Sequence, residues 1–133
     1  MNPNLEEIME WLKVAEDDLK SAEILLNHDP PVILTASFHC QQAIEKLLKV
    51  LLVWKGEPFE RTHDLSYLIE LCENLGFEFD YLKDKAEIIT SYAVDARYPG
   101  ADKITLKEAQ EAFDVAEITY KFIKDLIKDV VYF

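Results

Sequence analysis

The sequence contains few of the residues that interrupt helices. Only three Gly and five Pro occur among its 133 residues, whereas sheets and long loops usually need more of both. Three scattered Gly cannot form a Walker loop or a dinucleotide-binding fingerprint, so Gly-rich phosphate loops are excluded. The shortage of Gly and Pro therefore favours an all-helical protein.

Cysteine and long apolar runs are also scarce. The two cysteines, Cys40 and Cys72, stand in no spacing that is typical of a zinc or redox site. No apolar stretch reaches the roughly 18 residues that are needed to cross a bilayer. We therefore expect a cytoplasmic protein with reduced thiols, and with no metal, no cofactor and no membrane partner.

Positive charge is in short supply, since the formal net charge is −12. This balance argues against tight nonspecific binding to nucleic acid, which depends on basic groups at the phosphates, and we expect no DNA partner. The charge is uneven. Residues 1–30 carry eight acids and two bases, whereas residues 31–64 carry four of each. The middle of the chain therefore repels an anion least.

Apolar residues recur at steps of three and four over five segments, which predicts five amphipathic helices. The expected helices span about residues 4–28, 32–55, 63–75 and 80–95, and a final long segment after Thr105. The second has an apolar arc near half of its circumference, which predicts a central position or burial against another subunit. We expect an all-α, up-and-down bundle of about five helices in a single domain, residues 1–133.

Residues that favour helix ends flank two of these segments. Asn4 with Glu7, and Thr105 with Glu108, have the spacing of a capping box, in which each side chain bonds the backbone N–H of the other residue. Gly56 is placed to end the second helix.

A polar stripe runs along the otherwise apolar second helix. His39, Gln42, Lys46 and Lys49 follow one another at steps of three and four residues, so they share one face, and Glu45 lies at its edge. The simplest interpretation is that this is the solvated side of an amphipathic helix. The functional interpretation is a binding site.

Two further polar clusters lie at helix ends. The segment Arg61–Asp64 precedes the third helix, where it would act as an N-cap with an acid in the first turn. The segment Asp95–Gly100 follows the fourth helix. There Arg97 would lie near the negative end of the helix dipole, before a Pro-Gly turn.

Taken together and in this order, the three clusters resemble the small stand-alone HEPN proteins of bacteria and archaea. The matching stretches are Phe38–Lys49, Arg61–Leu65 and Tyr92–Gly100, and the opening Trp11–Leu19 is similar to the first helix of that family. The resemblance covers about residues 5–127. It implies a bundle of about five helices, usually a homodimer, that is often encoded beside a minimal nucleotidyltransferase in a two-component or toxin–antitoxin system.

The resemblance also bears on enzymatic activity. Many HEPN toxins are metal-independent ribonucleases, in which an Arg and a His a few residues later act on the RNA 2′-hydroxyl and phosphate across the dimer interface. Arg97 stands where that Arg is expected, but no His follows it, and the histidines of the chain are His28, His39 and His63. The departure argues against ribonuclease activity, since proton transfer at a 2′-hydroxyl requires a group that titrates near neutrality.

The leading hypothesis is a non-catalytic HEPN module that binds a nucleotide, a nucleotidyltransferase partner, or both. The expected ligand-binding residues are His39, Gln42, Glu45, Lys46, His63, Asp64, Arg97 and Tyr98. In this hypothesis Arg97 and Lys46 contact phosphate, and Asp64 orients His63.

Two alternatives stay open. The first is a metal-independent HEPN ribonuclease acting on RNA with a displaced catalytic His, for which Arg97, His39 and His63 are the candidate catalytic residues. The second is purely structural, with the three clusters packing and capping the bundle. For a homodimer, Trp54, Tyr92 and Tyr98 are the expected interface aromatics, with a place in the core as their simpler role.

Overall fold

The computed structural model describes residues 4–95 and 103–131, which form six α-helices and no β-strand. The helices are α1 (Leu5–Asn27), α2 (Ile33–Trp54), α3 (Leu65–Asn74), α4 (Asp80–Lys83), α5 (Ala86–Asp95) and α6 (Leu106–Val131). The prediction of an all-α helical bundle is confirmed. No helix of this described part is long and apolar enough to cross a membrane.

The expected single helix over residues 80–95 is wrong, because α4 ends after one turn and α5 begins at Ala86. The backbone N–H of Lys85 bonds to the carbonyl of Leu82, three residues earlier, at 3.0 Å. A bond of this spacing tightens the last turn of a helix. Leu82 and Ala86, on either side of the break, are both buried.

α1 and α2 form an antiparallel pair. The N–H of Val32 bonds to the carbonyl of Leu25 at 3.0 Å and closes the connection between the two helices. At the other end, the side-chain amide of Asn4 donates to the carbonyl of Val53, also at 3.0 Å. The predicted capping box at Asn4 is therefore wrong, because its side chain bonds to α2 and makes no cap hydrogen bond.

The second predicted capping box is confirmed. The N–H of Thr105 bonds to the Glu108 carboxylate at 2.9 Å, and the N–H of Glu108 bonds to the Thr105 hydroxyl at 3.1 Å. These two bonds satisfy backbone donors that have no partner inside α6.

α2 is the central helix. It packs against α1, α3, α5 and α6, and its Leu47, Leu48, Leu51 and Leu52 are fully buried. Burial of leucine side chains is the main contribution to the stability of such a core. Gly56 ends α2 as expected, with a φ of 68° that side chains other than glycine rarely adopt.

Both cysteines are buried in this core, and burial raises the pKa of each thiol to about 12. Because the thiolate is the reactive form, both thiols stay protonated at any pH well below that value. We expect iodoacetamide to leave Cys40 and Cys72 unmodified in the folded protein at about pH 8 and to modify both in denaturant. Mass spectrometry measures the extent of alkylation, and rapid labelling under native conditions would contradict the burial.

Candidate functional site

The polar face of α2, formed by His39, Gln41, Gln42, Glu45, Lys46 and Lys49, is largely covered by other parts of the chain, and the rings of His39 and His63 stay partly exposed at its margins. Gln42, Glu45 and Lys49 are only 8%, 3% and 5% exposed. The interpretation of this face as a solvated helix side is therefore wrong. α1 covers one flank, and the connection between α2 and α3, residues 55–64, covers the other. Buried charges require partners, and the charged side chains of this face form two groups of hydrogen bonds and ion pairs.

The first group of contacts, here the Asp18 cluster (Asp18, His39 and Lys46), joins α1 to α2. The two carboxylate oxygens of the buried Asp18 are used separately: Oδ1 lies 2.8 Å from His39 Nδ1, and Oδ2 accepts from Lys46 Nζ at 2.7 Å. The rings of Phe38 and His39 lie edge-to-face, with their centroids 5.4 Å apart. The imidazole of His39 is thereby fixed on two sides.

The second group, the Glu45 cluster (Gln41, Glu45, Lys49 and His63), joins α2 to the connection before α3. Glu45 Oε1 lies 2.7 Å from His63 Nδ1, and Glu45 Oε2 accepts from Lys49 Nζ at 2.9 Å. The Gln41 amide donates to Glu45 Oε1 at 3.2 Å and to the backbone carbonyl of His63 at 2.9 Å. Gln41 therefore holds both the backbone of His63 and the carboxylate that its ring contacts.

Lys49 is buried between aromatic rings. Its Nζ lies 5.1 Å from the centroid of the Trp11 ring and 5.8 Å from that of Phe59, and the carbonyl of Thr62 is 3.4 Å away. An ammonium over aromatic faces is attracted by the ring quadrupole. Through its contacts with Phe59 and Thr62, Lys49 links residues 59–62 to α2.

Asp64 has a structural role in this arrangement. Its side chain accepts from the N–H groups of Ser66 and Tyr67 at 3.0 and 3.4 Å, as the N-cap of α3. The expectation that Asp64 orients His63 is wrong, because the Asp64 carboxylate serves the start of α3 and Glu45 contacts the His63 ring. The N-cap interpretation of this cluster is confirmed.

The structure places five of the eight expected ligand-binding residues in two groups: His39 and Lys46 share Asp18, whereas Gln42, Glu45 and His63 are linked through Gln41. Gln42 contributes through its amide, which donates to Gln41 Oε1 at 2.6 Å. Arg97 and Tyr98 lie outside the described residues.

Two of the expected interface aromatics lie within the described residues. Tyr92 is buried in the core of the single chain, which agrees with its simpler role. Trp54 is partly buried, with its ring 6.3 Å from that of Phe77.

Sequence reasoning missed Asp18 as a member of the site. The signal was present, because Asp18 lies three residues after Ala15 and four before Ala22, at a position of the buried stripe of α1. An acid at a stripe position requires a buried partner. Gln41 was missed as well, since it lies just outside the stripe that the i+3 and i+4 steps select.

The two histidines share one chemical arrangement. When the imidazole is neutral, a carboxylate at Nδ1 favours the tautomer with the proton on Nδ1, in which Nε2 keeps its lone pair. The side chains of His39 and His63 are 26% and 46% exposed, so both rings are accessible from outside. Within residues 4–95 and 103–131 no group of three or more His, Cys, Asp or Glu side chains could hold a metal ion.

Comparison with known proteins gives concordant results. The HEPN domain family matches residues 8–126. A Methanocaldococcus jannaschii protein, MJ1304, which is named as a candidate toxin, is 28% identical over 90% of this chain and 87% of its own length. The crystal structure of TT1696 from Thermus thermophilus has a TM-score of 0.74 and 27% identity, covering 94% of this chain and 98% of that one. The crystal structure of ST0689, described as an archaeal HEPN homologue, has a TM-score of 0.72 and 26% identity, covering 91% and 98%.

Proposed function

Because the chain belongs to the HEPN domain family, we propose that it is a toxin-type HEPN module that binds a nucleotide or RNA at the polar face of α2. The observation that carries this proposal is the pair of accessible imidazoles, each held at Nδ1 by a buried carboxylate. Buried ion pairs often stabilise a fold no better than apolar residues of the same volume. Two such clusters on one face therefore favour a role in binding over packing alone.

The ligand contacts follow from the chemistry of these groups. A neutral imidazole accepts at Nε2 from a hydroxyl group, such as those of ribose. The lysines of the face are already paired with Asp18 and Glu45, so a phosphate would have to compete with those carboxylates. Arg97 is the better phosphate ligand, since its guanidinium binds phosphate bidentately.

The position of α5 supports a contribution from Arg97. The N–H of Leu65 donates to the Thr90 hydroxyl at 3.1 Å, which holds α5 beside the turn that contains His63. α5 continues to Asp95, two positions before Arg97 in the sequence. In this proposal Arg97 meets the phosphate, and His39 and His63 accept from hydroxyl groups of the ligand.

The same proposal includes protein partners. The resemblance to small HEPN proteins and the relative named as a candidate toxin support a two-component system with a minimal nucleotidyltransferase. They also support a homodimer. Size-exclusion chromatography with light scattering, alone and with a co-expressed neighbouring nucleotidyltransferase, tests both assemblies.

Replacement of Arg97 by Ala is expected to weaken binding of ATP and of a short single-stranded RNA by about tenfold or more, since a charge-assisted hydrogen bond is worth about 1.5–3 kcal/mol. Isothermal titration calorimetry and fluorescence anisotropy measure the two affinities. Lys128→Ala, which removes one exposed positive charge near the end of α6, is the control. Equal affinities in wild type and Arg97→Ala, with unchanged thermal unfolding, would contradict the proposal.

A metal-independent ribonuclease is the second candidate. The Glu45–His63 contact at 2.7 Å favours it, because a carboxylate that orients an imidazole is a common arrangement for a general base. The leading proposal predicts that the purified protein binds RNA in EDTA without cleaving it. Cleavage that is lost in both His63→Ala and Arg97→Ala would establish the ribonuclease instead.

A further inference from the structure

The carboxylate of Asp18 contacts two nitrogen atoms, Nδ1 of His39 and Nζ of Lys46. It lies on the buried stripe of α1 and faces α2, with one oxygen 2.8 Å from His39 Nδ1 and the other 2.7 Å from Lys46 Nζ. A lysine ammonium only donates, so Asp18 Oδ2 is the acceptor of the bond from Lys46. The remaining oxygen, Oδ1, is left for His39.

We propose that Asp18 is a positioning residue that fixes His39 as a hydrogen-bond acceptor toward the ligand, an inference that rests on the proposed function. Oδ1 can only accept, so a hydrogen bond at 2.8 Å requires a proton on Nδ1 of His39. In the neutral ring Nε2 then keeps its lone pair. The opposite tautomer would turn the Nδ1 lone pair toward a carboxylate oxygen, and repulsion disfavours it.

This tautomer selects the chemical class of the ligand group. An acceptor at Nε2 pairs with a hydroxyl and is repelled by an unprotonated phosphate oxygen. Within a nucleotide, the donors that fit this acceptor are the ribose hydroxyls and the N–H groups of the base. The inference assigns the 2′-hydroxyl to His39, so the site is expected to prefer ribonucleotides over 2′-deoxyribonucleotides.

The exposure of the cluster agrees with such a role. Asp18 is buried and the Lys46 side chain is mostly buried, whereas His39 is the most exposed of the three. Asp18 and Lys46, which determine the tautomer, are therefore shielded from water, whereas the ring of His39 is accessible. Shielded electrostatic interactions are stronger than exposed ones.

Asp18→Asn tests this inference, because an Asn side chain has one acceptor oxygen and one NH2 group. Lys46 can bond only to the oxygen, so the NH2 group is left facing His39 Nδ1, which must then accept. The substitution is therefore expected to reverse the tautomer and turn Nε2 into a donor. A reversal of this kind, from a single carboxylate-to-amide change, is known to disable a triad histidine.

The readout is the pair of ring-nitrogen chemical shifts of His39, measured by NMR on labelled protein without ligand, at a pH where those shifts report a neutral ring. Wild type and Asp18→Glu, which keeps two oxygens, are expected to show the proton on Nδ1. Asp18→Asn is expected to show it on Nε2. Asp17→Asn is the matched control, since its neighbouring carboxylate is exposed and pairs with Lys13. An unchanged tautomer in Asp18→Asn would overturn the inference.

The ligand arm compares ATP with 2′-deoxy-ATP. Wild type is expected to prefer ATP by about threefold to tenfold, the value of one neutral hydrogen bond, and Asp18→Asn is expected to lose that preference. If Asp18→Asn reverses the tautomer but keeps the preference for ATP, His39 does not contact the 2′-hydroxyl and the inference is overturned. The proposed function would not be affected by that outcome, because the Arg97→Ala variant tests it separately. A wild type that binds neither ATP nor RNA would instead overturn the proposed function and, with it, this inference.

Discussion

Replacement of Glu45 by Ala is expected to lower the free energy of unfolding by about 3–5 kcal/mol, the usual effect of removing one partner of a buried ion pair. Glu45 and Lys49 are almost fully buried and 2.9 Å apart. Without the carboxylate, the Lys49 ammonium would stay among Trp11 and Phe59 with only the distant carbonyl of Thr62 as a polar partner. Chemical denaturation followed by circular dichroism measures the change.

Two controls separate the buried pair from a general effect of losing an acid. Glu23→Ala removes a helical carboxylate whose pair with Lys20 is exposed, and we expect a change of about 0.5 kcal/mol or less. The double variant Glu45→Leu with Lys49→Met replaces both charges by apolar groups, and its stability is expected to stay near that of wild type. A loss in Glu45→Ala no larger than that in Glu23→Ala would show that the pair is not buried as described.

Replacement of Leu47 by Ala is expected to cost about 2–5 kcal/mol, because it removes three carbon atoms from a fully buried side chain and leaves a cavity. Leu47 lies on the central helix α2, which packs against four other helices, so the surroundings have little freedom to collapse. Leu34→Ala on the same helix is the matched control. That leucine is exposed, and its loss is expected to change stability by about 0.5 kcal/mol or less. Similar losses in the two variants would contradict the central position of α2.

The repeat of apolar residues was sufficient to predict the long helices, because burial of one face requires that spacing in any helical bundle. It could not show the break between α4 and α5. The stretch over residues 80–95 contains neither Gly nor Pro, and the turn at Leu82–Lys85 lies between the buried side chains of Leu82 and Ala86. Likewise, asparagine is a favoured N-cap residue, but the side-chain amide of Asn4 donates to the backbone carbonyl of Val53 in α2.

The candidate site was predictable as a set of residues on one face, since His39, Gln42 and Lys46 follow helical spacing. Its enclosure was not, because that depends on how α1 and residues 55–64 lie across α2. The ring of His63 contacts Glu45 and not the expected Asp64, and this difference has a local cause. The backbone donors at the start of α3 compete for the Asp64 carboxylate and occupy it.

The balance of charge at the site differs from that of the whole chain. Asp18 and Glu45 are matched by Lys46 and Lys49, whereas the chain carries a net charge of −12. The polar face of α2 is therefore locally neutral within an acidic molecule, because Asp18 of α1 balances the second lysine of α2. An anionic ligand is repelled less there than elsewhere.

Nucleotide binding at the polar face of α2 can be tested by an NMR titration of isotopically labelled protein with ATP. We expect saturable shift changes that are largest at the amides of His39, Gln42 and His63, with little change at Thr119 on α6. Changes confined to other parts of the molecule, such as the groove between α1 and α6 lined by Phe113 and Tyr120, would contradict it. No change at any concentration of ATP, together with no change when RNA is added, would contradict it as well.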